Sequence, residues 1–143
     1  LMHKKPIVLM ALATVGVAVG YTAMNPAPEA PALPSAETAM VKVTLPATLT
    51  SEAQLGKAAF EAKCAACHGA NGAGNVNAAP PLIHKIYEPS HHGDESFHYA
   101  AAMGVQAHHW RFGNMPPVEG ITRAEVATII TYIRELQRAN GIF

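Results

Sequence analysis

Apolar residues are distributed along this chain in three different ways, and each way predicts a different kind of structure. Residues 7–24 carry no charge, and an almost continuous apolar run from Ile7 to Val19 follows a basic start at His3, Lys4 and Lys5. Those 18 residues, at about 1.5 Å rise each, would extend roughly 27 Å, enough to cross a bilayer core. Residues 1–24 therefore read as a signal sequence or an N-terminal membrane anchor whose basic end stays in the cytoplasm. Residues 25–48 begin with prolines at 26, 28, 31 and 34 and read as a Pro/Ala-rich, semi-rigid linker. Ala18-Val19-Gly20 offers a cleavage-like pattern without a polar spacer, whereas a stiff tether after an apolar run suits an anchored domain. Either outcome puts the remainder on the periplasmic side of the cytoplasmic membrane.

From residue 49 to 143 the apolar positions recur at helical rather than alternating spacing, so the expected domain is all-α, with three helices and no sheet. Thr50 or Ser51 is placed to cap the first helix, with Ser51-x-x-Gln54 resembling a capping box. Leu55, Gly56, Ala59 and Phe60 mark its inner face. Gly56, costly inside a helix, suggests close approach of a second helix. Asp94 is placed to cap the next helix, with Phe97, Ala100, Ala101 and Gly104 inward. Thr122-x-x-Glu125 is a capping box for the last. There Val126, Ile129, Ile130, Ile133 and Leu136 form the core face, and Asn140-Gly141 gives a stop signal.

Composition narrows the function. The 10 basic and 10 acidic side chains balance, which argues against nucleic acid and against strong long-range steering of charged partners. Aromatic residues make up only 6 % of the chain, so the core of so small a domain would be thin without a bound apolar group.

The chemistry concentrates at Cys64-Ala65-Ala66-Cys67-His68, and these are the only two cysteines. A C-x-x-C-H run is the attachment signature of c-type haem. Two thiols at this spacing can form thioethers to the two vinyl groups of one porphyrin, and the following imidazole can reach the iron. A structural zinc site would need four ligands, and no second cysteine pair exists. A thioredoxin-type pair would need a strand-to-helix setting, whereas Cys64 follows a helix and precedes a glycine-rich loop.

For the second axial position Met115 is the candidate. It lies in Arg111-Phe112-Gly113-Asn114-Met115-Pro116-Pro117, a sequence that cannot be helical and that stiffens immediately after the sulfur. A thioether opposite histidine raises the haem potential. Met103, on a helix, reads as packing. His108 and His109 are alternatives that would give bis-histidine haem. Six histidines fall between positions 84 and 109, and His91, His92, His98, His108 and His109 also admit a copper or zinc site, with solvated surface residues as the plainer reading.

Together these residues resemble a class I c-type cytochrome over about residues 51–140. The resemblance rests on Gly56-x-x-x-Phe60 leading into CAACH, then Ala79-Pro80-Pro81-Leu82, then GNMPP, then Ile130-Thr131-Tyr132-Ile133. It implies a small three-helix fold around one covalent haem, with Cys64 and Cys67 as thioether residues and His68 and Met115 as axial ligands. It also implies that the Pro80 carbonyl accepts a hydrogen bond from His68, and that Gly56 and Phe60 pack across Tyr132. Two features depart from the family pattern: Ala79 replaces a glycine, and the segment Ala107-His108-His109-Trp110-Arg111 is unusually rich in histidine. Trp110 and Arg111 are candidates to meet a haem propionate. The implied activity is electron transfer between redox protein partners rather than catalysis. A haem enzyme or gas sensor with a labile distal ligand, and a cytochrome module coupled to copper handling, are the rival readings.

Overall fold

The computed structural model describes residues 36–143. The apolar run at 7–24 and the prolines at 26–34 lie outside the described residues. Among the described residues, no helix is long and apolar enough to cross a membrane.

Helix α1 spans Ser51–Lys63, a single turn α2 spans Ala65–His68, α3 spans Asp94–Met103 and α4 spans Arg123–Ala139. Short 3₁₀ turns lie at Ala36–Thr38, Ala70–Gly72 and Lys85–Tyr87. Extended pairing among the described residues is limited to two isolated antiparallel bridges, Asn75 with Ala79 and Val105 with Met115. The architecture is all-α, as the helical periodicity requires.

Local signals explain where the helices begin and end. Thr50 is the N-cap of α1, its hydroxyl accepting from the Ala53 N–H at 3.2 Å. The Gln54 side chain turns instead to the Leu49 carbonyl, so the reciprocal Ser51–Gln54 box does not form. The cap of α3 is Gly93 rather than Asp94. Asp94 opens the helix, and its carboxylate accepts from Arg134 at 2.9 Å. At α4 the box is complete: Thr122 Oγ1 accepts from the Glu125 N–H, and the Glu125 carboxylate accepts from the Thr122 N–H at 2.8 Å. Asn140 caps its end, followed by Gly141 at φ 75°.

The core is centred on the crossing of α1 and α4. Phe60 and Tyr132 lie with ring centroids 5.8 Å apart, surrounded by Ala53, Ala65, Ile83, Ile129, Ile133 and Leu136. Gly56 makes the crossing possible, because a Cβ there would sit 1.9 Å from the Thr128 carbonyl oxygen. Leu55 does not share this face. It is 66 % exposed, because Ala53, Gly56 and Phe60 define the inner stripe. A smaller cluster of Ala101, Val126 and Ile130 ties α3 to α4, with Phe97 and Ile121 against it.

Two further contacts organise the loops. Arg134, its side chain only 9 % exposed, donates to the carbonyls of Tyr87 and His92 and to the side chains of Asp94 and Gln137. Gln137 in turn donates to the carbonyls of Leu82 and Tyr87, so the long loop 82–92 is clamped to α4. At the other end, the Met40 and Val41 N–H groups donate to Ala73, and Thr44 exchanges hydrogen bonds with the Asn140 side chain. The C-terminal half of the stretch read as linker is thus hydrogen-bonded to the domain.

Candidate cofactor site

A cavity of about 820 Å³ opens between the CAACH turn, α3, α4 and the loop 104–118. Its size falls within the range of cofactor sites, roughly 300–1,000 Å³. Its walls are mainly apolar and include Phe60, Leu82, Phe97, Val126 and Ile129.

The kink between α1 and α2 places the motif. Cys64 leaves helical geometry at φ −120°, and its carbonyl accepts from the N–H groups of Cys67 at 3.1 Å and His68 at 2.9 Å. This one turn brings Cys64, Cys67 and His68 to the same cavity. Burial, reinforced by neighbouring Cys67, pushes the Cys64 thiol up to about 11. A thioredoxin-type nucleophile needs the opposite shift.

His68 is buried, and its Nδ1 lies 2.9 Å from the Pro80 carbonyl oxygen. A carbonyl only accepts, so Nδ1 carries the proton and Nε2 presents a lone pair. Burial holds the imidazole below its usual range, opposed by the Pro80 bond. The neutral ring with one orienting hydrogen bond is the form in which histidine binds a metal.

Met115 lines the same cavity. Its backbone is fixed on both sides, since it exchanges N–H···O bonds of 2.9 Å with Val105. Gly104, at φ 75°, allows this approach, because a Cβ there would meet the Met115 carbonyl oxygen at 2.4 Å. The loop between is closed by Asn114 Oδ1, which accepts from the Ala107 N–H at 2.9 Å. Met103 is neither a cavity residue nor a core residue. It is 73 % exposed at the end of α3, so the packing role expected for it is not observed. The short helix carries alanines on several sides, and only Ala101 is fully buried.

Trp110 lines the cavity edge-on to His84, ring centroids 5.2 Å apart, while Arg111 does not line it. The Trp110 indole N–H is buried near the Tyr87 hydroxyl without hydrogen-bond geometry to any group. His108 and His109 also reach the cavity wall. His108 Nδ1 is tied to the Gln106 carbonyl at 2.8 Å, and His109 faces His91. The sequence did not single out Arg134 and Gln137, which hold one wall of the site. A polar pair three residues apart within the apolar stripe of α4 was the available signal.

Two thiols, a neutral imidazole with a free nitrogen, a thioether and an apolar cavity together fit haem. The family model described as Cytochrome c matches residues 53–137, a span that includes every residue of this donor set. No curated protein matches the chain.

Proposed function

The chain belongs to the cytochrome c family, and from that premise we propose that it is a single-haem electron carrier working outside the cytoplasm. Haem binding follows from the family. The finer reading is ours: Cys64 and Cys67 hold one haem through thioethers, and His68 and Met115 occupy the two axial positions. Haem bound there supplies one-electron exchange between ferrous and ferric iron.

The observation that carries the reading is the His68–Pro80 hydrogen bond at the foot of a cavity that also receives both thiols. It fixes the tautomer and aims the free nitrogen, which is how a second-shell contact prepares a metal ligand. Two protein ligands leave no coordination position for a substrate, so the protein is a carrier and not an enzyme. Apolar walls exclude water and favour the less charged ferrous state, and a thioether ligand acts in the same direction.

Donor and acceptor are redox proteins. With a formal net charge of zero, their encounter depends on local contacts more than on long-range steering. The basic start and apolar run at 3–24 support export to the periplasmic side, as a cleaved signal or a retained anchor.

Replacing Cys64 and Cys67 together with alanine tests the attachment. Acidified acetone should extract haem from that variant and leave it on the parent protein. Haem extracted from the parent would remove the basis for the thioether assignment.

A further inference from the structure

Beside the cofactor cavity, and independent of how haem is held, four histidine rings form a contiguous patch. His91 and His92 come from the end of the loop clamped by Arg134, and His109 from the loop that carries Met115. The rings of His91 and His92 lie 4.7 Å apart, those of His91 and His109 5.3 Å, and those of His92 and His109 5.2 Å. His108 packs against His109 at 4.3 Å. His84 stands apart, against Trp110.

We propose that His91, His92 and His109 form a tris-imidazole site for a borderline divalent transition-metal ion, of the Zn(II) or Cu(II) type. One donor nitrogen from each lies within 4.8 Å of the others. His91 Nε2 and His109 Nε2 are already 3.3 Å apart. That is the separation of two ligands on a tetrahedral ion with metal–nitrogen bonds of about 2.0–2.1 Å, for which geometry gives an edge of about 3.3–3.4 Å. One of these two nitrogens donates to the other, and on binding an ion that ring would carry its proton on Nδ1 instead, so that both Nε2 atoms present lone pairs.

His92 is prepared in the same way as His68. Its Nδ1 donates to the Ile86 carbonyl at 2.6 Å, so Nε2 is the free nitrogen, with the backbone orienting the ring. Arg134 donates to the His92 carbonyl at 2.6 Å and fixes the backbone behind it. The Asn114–Ala107 bond closes the opposing loop around His109. Two of the three rings are exposed, so the fourth coordination position faces solvent and an ion can enter directly. Three neutral imidazoles suit zinc and copper rather than calcium or magnesium, which prefer oxygen. His108 directs its Nδ1 to Gln106 and lies outside the trio.

His92 and His109 also line the cofactor cavity. A bound dication would therefore add positive charge next to that cavity and stabilise the reduced, less positive iron. The ion would act as a tuning element for the carrier.

The test uses the full chain as purified, without a histidine tag and after chelator treatment. Calorimetric titration with Zn(II), which is redox-silent, should show one saturable site per chain. His91→Ala and His109→Ala should each raise the dissociation constant at least tenfold, and the two together should abolish saturation. Both positions are exposed, so the variants should fold, and circular dichroism checks this. His98→Gln, outside the trio, should bind like the parent. Non-saturating uptake by the parent, or an unchanged site in the double variant, would overturn the proposal. A haem whose potential stays fixed on Zn(II) saturation would refute the tuning role while leaving the site itself to the calorimetry.

Discussion

Met115 and Met103 have the same side chain twelve residues apart, and their surroundings give them opposite roles. Met115 lies in the cavity on a backbone pinned by Val105, whereas Met103 projects into solvent. Met115→Ala should lower the reduction potential, abolish the weak sulfur-to-iron charge-transfer band and open the iron to carbon monoxide. Met103→Ala should leave the spectrum intact and, at an exposed site, change stability by less than about 0.5 kcal/mol. A parent protein that lacks the band, with a spectrum that Met115→Ala leaves unchanged, would shift the sixth position to His108 or His109. Tyr132 makes a second residue-scale prediction. Burial, with Glu61 nearby, pushes its phenol up to about 12, while its hydroxyl donates to Asn71 at 2.9 Å. Below the ordinary value near 10 both folded and unfolded chains keep the proton. Between about 10 and 12 only the unfolded chain releases it, so folding stability should fall across that interval. Thermal melts should show Tyr132→Phe losing less stability than the parent over the same interval. That Cys64, Cys67 and His68 face one cavity was legible from sequence, because their spacing fits within a single helical turn. The exposure of Met103 was not, because a ten-residue helix with alanines on several sides defines no clear face.

The elements depend on one close crossing and one polar clamp. At the crossing of α1 and α4, Gly56 lets the Thr128 carbonyl approach to a distance that any side chain would prevent. Gly56→Ala must push the helices apart or bend one of them. The cost should reach or exceed the upper end of ordinary overpacking, about 3 kcal/mol, and chemical denaturation will measure it. Its role was readable in the sequence as a glycine placed where a helix should not want one. The clamp was less readable. Arg134 lies in the apolar stripe of α4 because it satisfies the carbonyls of Tyr87 and His92, and those partners lie more than forty residues away in the chain. Arg134→Met keeps much of the volume but leaves the His92 carbonyl and the Gln137 side-chain oxygen without their donor, while the Tyr87 carbonyl keeps Gln137. The expected loss is about 2–4 kcal/mol, again read by denaturation. No local pattern announces such a pairing, and the same is true of the segment 40–44. Its few apolar residues resemble a linker until Ala73 and Asn140 supply the hydrogen-bond partners.

At the scale of the whole molecule, the apolar residues are divided between a core of their own and the walls of a cavity. The α1–α4 cluster contains the large buried side chains, whereas α3 buries only Ala101 fully and joins α4 through a cluster of three small or branched residues. Phe97, Val126, Ile129 and Met115 face the cavity, so much of the apolar surface on that side is covered only by what the cavity holds. A domain of this size has little stability to spare, and a bound apolar group supplies the surface its own side chains lack. The chain produced without haem should therefore lose most of its helical signal in far-ultraviolet circular dichroism. The loss should be graded: amide exchange should collapse first in α3 and the loop 104–118, and last where Phe60 meets Tyr132. Near-native helicity in the haem-free chain would refute this dependence. Uniform exchange across all helices would show instead that the α1–α4 crossing cannot persist without the cofactor side of the molecule.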